Sequence, residues 1–297
     1  MSFDVTSRYG RPVELGISLV PNLADLELLR ELAVRADELG LDLVGIQDHP
    51  YQWRYLDTFT LIGDLLARTE RIRVFPDVAN LPLRLPAVLA KQATSLDALS
   101  GGRFELGLGA GGFWEAIGAM GGPVRSPGEA IDALEEAIRI IRAFWSGERS
   151  ISFEGDHYTV KGLHPGEPPP HPIGIWLGVG KPRGLALAGR LADGWVPSLG
   201  WATPDLVPGM SRRIDEAAEQ AGRDPAQIRR VYNLTGRAIA DSRGEGLLDG
   251  PPGLWVETLS GFARDLGFDT FVFWPTEDHL VQVERFAREV VPALREE

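Results

Sequence analysis

Four groups of residues in this chain have types and spacings that suit chemistry. His49 titrates near neutral pH, so it can donate or accept a proton. Asp48 beside it can orient a ring or hold a ligand hydroxyl. Gly107-Leu-Gly109-Ala-Gly111-Gly112 lacks side chains at alternate positions, which lets a flat ring system approach the backbone. Its spacing differs from the Gly-x-Gly-x-x-Gly dinucleotide fingerprint. Gly178-Val179-Gly180-Lys181-Pro182-Arg183 precedes a helical stretch, so free backbone N–H groups and two cations can hold a phosphate there. Trp114, Trp201 and Trp274 can wall a pocket for an aromatic ligand. Each group also has a plainer reading: a buried, satisfied histidine, close strand–helix packing, solvated cations, or core tryptophans.

Other chemistries are excluded or weak. The chain contains no cysteine, which removes disulfides, thiolate metal sites, iron–sulfur clusters and cysteine nucleophiles. Gly-x-Ser-x-Gly does not occur, so the usual hydrolase elbow is missing. His157, His164, His171 and His279 show no paired helical spacing with carboxylates, and no metal site is expected. With 42 acidic and 30 basic residues the formal net charge is −12, which argues against a nucleic-acid partner. No apolar run approaches the roughly 20 residues of a bilayer helix, and no leader stands at the N-terminus. A cytoplasmic protein acting on a small-molecule substrate is expected.

The elements that must position these residues alternate in type. Strands are expected at Val13–Val20, Leu43–His49, Ile72–Asn80, Phe104–Gly111, Ile173–Gly180, Trp195–Leu199, Ile228–Ile239 and Asp269–Trp274. Helices are expected at Ala24–Gly40, Asp57–Glu70, Pro86–Ser100, Gly128–Trp145, Pro182–Asp193, Asp205–Gly222, Trp255–Gly267 and Asp278–Arg295. Such alternation implies parallel strands, and eight units in 297 residues point to one closed (β/α)₈ TIM barrel spanning residues 1–297. A doubly wound open sheet is the competitor. Ser150–Pro172, with a hairpin at Ile151–Val160, reads as an insertion too short for its own core. In a barrel the C-terminal strand ends gather the groups above on one face.

Those strand ends resemble the bacterial luciferase-like family of flavin- and deazaflavin-dependent oxidoreductases. The stretches that carry the resemblance are Leu81-Pro-Leu-Arg84 with Pro86-Ala-Val-Leu-Ala90, Ser95-Leu-Asp-Ala-Leu-Ser-Gly-Gly-Arg103, Glu105-Leu-Gly-Leu-Gly-Ala-Gly111 and Gly189-Arg-Leu-Ala-Asp-Gly-Trp195. The resemblance implies a (β/α)₈ barrel with a mid-chain insertion and a flavin-type cofactor at the mouth. Asp48-His49 is similar to the aspartate–histidine of the branch that uses coenzyme F420, whereas FMN members more often carry another pair. The family's strand-three bulge, with a non-proline cis peptide behind the ring, falls at Asp77–Val78, and Asn80 follows it. The resemblance implies phosphate contacts at Gly178, Val179, Gly180, Lys181, Ser198 and Gly200, and close approach of the ring at Gly109 and Gly111.

One position departs from that pattern. Where the family's sugar-phosphate dehydrogenases carry a proton-donating glutamate, this chain has Gly112, with Glu115 three residues on. The expectation is therefore an F420-dependent oxidoreductase that transfers hydride to or from another small organic substrate. His49 would bind the ring edge or relay a proton. The alternatives are an FMN-dependent monooxygenase served by a partner reductase, a non-catalytic ligand-binding barrel, and a phosphosugar isomerase. A homodimer is expected from the resemblance.

Overall fold

A computed structural model describes residues 5–239 and 246–296. Among these residues eight strand–helix units follow one another. The strands are β1 (Glu14–Leu19), β2 (Leu43–Ile46), β3 (Arg73–Pro76), β4 (Leu106–Gly109), β5 (Ile175–Leu177), β6 (Gly194–Trp195), β7 (Arg229–Thr235) and β8 (Thr270–Trp274). All of them pair in parallel, β1 with β2 and β8, and the run closes where Val74 of β3 bridges Phe104 just before β4. The closed barrel excludes the open-sheet reading.

The helices between them are α1 (Leu26–Glu38), α2 (Thr58–Arg68), α3 (Pro86–Ser100), α4 (Pro127–Phe144), α5 (Pro182–Leu191), α6 (Val207–Gln220), α7 (Pro252–Gly261) and α8 (His279–Arg285). Their start and stop signals are written in the sequence. Asp57 caps α2 through its carboxylate, and Ser126 with Glu129 forms a capping box on α4. Proline opens α3, and Gly101 ends it at φ +70°, a left-handed conformation that glycine adopts freely. Apolar residues on the inner face of each helix pack against the outside of the barrel and make the main core.

The barrel interior is a second, smaller core. Leu43, Phe75, Trp176, Val196, Val231 and Val272 meet there, with Phe75 and Trp176 ring centroids 5.1 Å apart. Side chains alternate across a strand, so residues two positions further along point inward as the next layer up. That layer contains Ser18, Gly45, Asp77, Gly109, Gly178, Ser198, Asn233 and Trp274, and it is mostly polar or side-chain-free. The layer below the apolar one is charged: Glu14 bridges Arg73 and Arg229, and Arg73 also faces Glu105.

Strand three does not run straight to Asn80. It leaves the ladder after Pro76, and the Asp77–Val78 peptide is cis, where the resemblance placed it. Ala79–Asn80 then rejoins the sheet against Leu108 and Gly109 of β4. The expected hairpin pairs Ile151–Glu154 with Thr159–Leu163 in antiparallel fashion. Glu136 of α4 accepts from the backbone N–H groups of Asp156, His157 and Tyr158 and holds its turn to the barrel. The stretch expected as a glycine-rich loop after β4 contains a short helix, Trp114–Ala119. The final helix is not uniform, since Phe286–Val290 widens into a π turn. Part of the expected loop Asp241–Gly253 lies outside the described residues. Among the described residues no helix is long and apolar enough to cross a membrane.

Candidate active site

The bulge after β3 depends on glycines in its neighbours. A Cβ on Gly109 would stand 2.9 Å from a Val78 methyl, and one on Gly178 would stand 2.7 Å away. A Cβ on Gly107 would run into the Pro76 carbonyl oxygen at 2.1 Å. Side-chain contacts this short do not occur, so three glycines from β4 and the end of β5 are what let Val78 settle in the mouth. On the other flank Gly45 of β2 gives room to the Asp77 carboxylate, with a Cβ there only 3.0 Å from Oδ2. The glycine pattern therefore shapes a floor whose raised point is Val78.

Asp77 itself is held across the barrel. Asn233 Nδ2 donates to its Oδ1 at 2.9 Å and lies 3.4 Å from Ser198 Oγ. Burial pushes the Asp77 carboxyl up to about 6, against the lowering effect of Asn233. Ser18 Oγ, Asn80 Oδ1 and Asn233 Oδ1 are buried without a hydrogen-bond partner. Buried polar atoms are normally paired, so three unpaired ones around one mouth fit a site that closes on a polar ligand.

Asp48 takes a different role from the one its sequence position suggests. Its Oδ2 accepts from the Asn80 backbone N–H and from Arg84 Nε, each at 2.8 Å, and its Oδ1 accepts from Arg84 Nη2 at 2.7 Å. Both oxygens are thus engaged, and the expectation of Asp48 as a group that acts on a ligand is corrected. The carboxylate is a clamp that ties the end of β2 to the chain just beyond the bulge. Arg84, which the sequence marked only as part of a resembling stretch and gave no role, makes this clamp and also lies over the Phe59 ring.

His49 is partly buried. Its Nδ1 lies 2.7 Å from the Tyr51 hydroxyl, and its ring stands edge-on to Phe113, centroids 5.8 Å apart. Nε2 has no hydrogen-bond partner among the described residues and is not among the sealed polar atoms, so this nitrogen is free to meet a ligand. Burial lowers the imidazole pKa, with the Asp48 charge acting in the opposite sense. Tyr51 titrates at about 12 because of burial and Asp48, so it stays a neutral phenol. Tyr51 and Phe113 were not singled out from sequence, because a tyrosine two residues past a histidine carries no signal alone. Phe113 is 71% exposed and sits at φ +50°, outside the region that favours a bulky side chain.

The turn from β5 into α5 is built as an anion site would be. Trp195 Nε1 donates to the Val179 carbonyl at 2.8 Å and fixes the turn from β6. Gly180 lies under Trp201, whose ring a Cβ there would strike at 2.4 Å. Lys181 is exposed at the N-cap of the ten-residue α5, while Gly200, also exposed, has open space around it. Arg183 does not add its charge here, since it bonds Asp132 of α4 at 2.6 Å. Of the tryptophans, Trp114 packs beside Gly111, and Trp274 lines a crevice of about 140 Å³ with Ser18, Asn22 and His279. No ring contact joins the three to one another among the described residues. A larger groove of about 560 Å³ lies outside the barrel, among Phe59, Val88, Lys91 and His164. It contains none of the mouth residues.

A closed parallel barrel with a polar top layer, a histidine and a glycine turn at a helix N-terminus defines a (β/α)₈ protein whose candidate site is the C-terminal mouth. The comparisons agree with the barrel. The family described as luciferase-like monooxygenase matches residues 3–245, and the chain belongs to that family. An F420-dependent glucose-6-phosphate dehydrogenase of Kineococcus radiotolerans is 31% identical over 234 residues, covering 76% of this chain and 68% of the relative. One of Rhodococcus erythropolis is 31% identical over 217 residues, covering 69% and 63%. In fold, the chain is similar to an F420-dependent secondary alcohol dehydrogenase in complex with an F420-acetone adduct. That match has a TM-score of 0.85 at 18% identity, covering 95% of this chain and 99% of the other. A long-chain alkane monooxygenase matches with a TM-score of 0.80 at 14% identity, covering 95% and 91%.

Proposed function

We propose that this protein is an oxidoreductase that binds coenzyme F420 in the barrel mouth and exchanges hydride with a small organic substrate. The observation that carries the reading is the floor of the mouth. Val78, seated on Gly107, Gly109 and Gly178, offers one apolar surface to a flat ring, between His49 and the glycine turn. The residues fit such a group. Gly178 to Lys181, with Ser198 and Gly200, would hold its phosphate; Val78 would support the ring; His49 Nε2 would meet the ring's polar edge. When bound, the deazaflavin supplies the hydride, and the protein's work is to position it and exclude water.

The two relatives described above are named as F420-dependent glucose-6-phosphate dehydrogenases. This chain's substrate is set apart from theirs by Gly112, where the family resemblance places a glutamate. Nothing stands within 4 Å of a Cβ at Gly112, and Glu115 is exposed on the short helix beyond it. We therefore assign an activated C=C or C=N acceptor, or an alcohol that is not a sugar phosphate.

Spectrophotometric titration with F420 and with FMN tests the cofactor. Tight binding of F420 and weak binding of FMN is the expected outcome. The reverse preference would replace this reading with an FMN-dependent monooxygenase; several neighbours of the same fold are named as monooxygenases, one of them in complex with FMN.

A further inference from the structure

We propose that Asp77 is the acid–base group of the mouth, exchanging a proton with the ligand bound over the strand-three bulge. The proposal rests on the cofactor reading above and names the group that replaces the carboxylate absent at Gly112.

Three observations carry it. First, Asp77 occupies the inward top layer of the barrel, at the bulge itself, and the residue as a whole is only partly buried. Second, the one hydrogen-bond partner of its carboxyl among the described residues is Asn233, a neutral amide. Among the described residues no cation bonds it, whereas the neighbouring Asp48 is engaged by Arg84 at both oxygens. A carboxylate left unpaired at a low-dielectric site is costly, and such groups concentrate where proton transfer needs them. Third, Asn233 Oδ1 and Ser18 Oγ, in the same layer, are buried and unpaired, so the layer holds polar groups that the protein alone does not satisfy.

The groups facing Asp77 are few. β2 contributes Gly45, the segment after β6 contributes Ser198 through Asn233, and β7 contributes Asn233. Among the described residues its shift has two causes, burial that raises the carboxyl to about 6 and the Asn233 hydrogen bond that lowers it. The proton step is simple. The carboxyl O–H bond breaks, a bond forms between that proton and a ligand atom carrying an electron pair, and Asp77 is left as a carboxylate facing Asn233 Nδ2–H. Water returns the proton once the ligand leaves, and the reverse sequence accepts a proton from a ligand hydroxyl. His49 and Asp77 then form a pair of titrating groups moved in opposite directions by burial, the pattern that separates acid and base roles.

The experiment uses the whole protein in two measurements. Carboxyl-carbon NMR without cofactor, compared with Asp77→Asn, is expected to show one carboxyl titrating well above the ordinary aspartate range. Calorimetry of F420 binding in two buffers of different ionisation enthalpy is then expected to show proton uptake at neutral pH. A ligand that covers Asp77 removes its water and favours the protonated form. The wild-type Kd should weaken as pH rises through the carboxyl pKa, by up to about tenfold per pH unit, and Asp77→Asn should show neither uptake nor this dependence. If that variant does not fold, Asn233→Ala serves instead, because loss of the donor should move the titration further up. A carboxyl that titrates in the ordinary range, or identical proton uptake in wild type and Asp77→Asn, overturns the proposal. Failure of wild type to bind F420 overturns the cofactor reading and leaves the titration without cofactor to decide the role of Asp77.

Discussion

His49 shows how a residue's role is set by its two ring nitrogens separately. Nδ1 is taken by the Tyr51 hydroxyl at 2.7 Å, and Nε2 is free. Because burial lowers its pKa, the neutral imidazole persists to lower pH than a free histidine would allow. The direction of the Tyr51 bond sets the tautomer: a phenol that donates to Nδ1 makes Nε2 a donor, and one that accepts from Nδ1–H makes it an acceptor. If Nε2 serves proton transfer, His49→Ala lowers kcat by about 10²–10⁴-fold. Steady-state kinetics beside cofactor titration separate this from ring orientation, which would weaken binding and leave kcat near wild type. Wild-type values for both would show a structural histidine. The residue type and its place at a strand end were readable in the sequence. The partners were not: Tyr51 is too near in sequence to look like a site residue, and Phe113 lies across the mouth in a turn of its own. Asp48 was readable as important, but only the position of Arg84 turns it from a reactive carboxylate into a clamp.

At the scale of elements, helix boundaries were legible because they are made by local chemistry. Proline at the first turn and glycine at the end place α3 at Pro86–Ser100, as read from sequence. Strand ends were less legible. Ile173–Gly180 shortens to Ile175–Leu177, because the chain leaves the ladder to form the glycine turn that the site needs. Apolar and small residues continue past the last paired position, so composition alone does not mark the departure. The proline-rich segment before β5 is likewise pinned by a contact no local pattern reveals. His171 Nδ1 lies 2.5 Å from Asp97 of α3, and its Nε2 lies 3.8 Å from Glu105. Glu105 and Asp97 hold the His171 pKa above its ordinary value, against burial. A raised folded pKa means that this contribution to stability is fully present below pH ~6.5 and is lost as pH rises through the folded value. The Tm gap between wild type and His171→Ala should therefore be wider at pH 6 than at pH 9. A gap that does not change with pH would reduce His171 to a packing role.

Across the whole molecule the barrel separates stability from binding along its axis. The charged layer at the N-terminal end of the strands contains Glu14 between Arg73 and Arg229, with Glu105 and Asp269 at 3.6 Å and 3.8 Å from those guanidiniums. The apolar layer of Phe75, Trp176 and Val231 lies between it and the mouth. Interactions at the bottom therefore hold strands together and do not reach the ligand. Glu14→Ala leaves two partly buried cations short of an acceptor, a loss of about 1–3 kcal/mol. For a chain of this size that lowers Tm by roughly 2–4 °C per kcal/mol, while F420 affinity stays unchanged. Lys181→Ala should do the converse. The side chain is exposed and has no protein partner among the described residues, so Tm stays constant. A lost charge-assisted phosphate contact weakens cofactor binding by about tenfold or more. Thermal melts and cofactor titrations on both variants measure the four quantities. If Glu14→Ala weakened F420 binding as much as it lowered stability, the apolar layer would not insulate the mouth. An unchanged Kd in Lys181→Ala would place the phosphate elsewhere than the β5 turn.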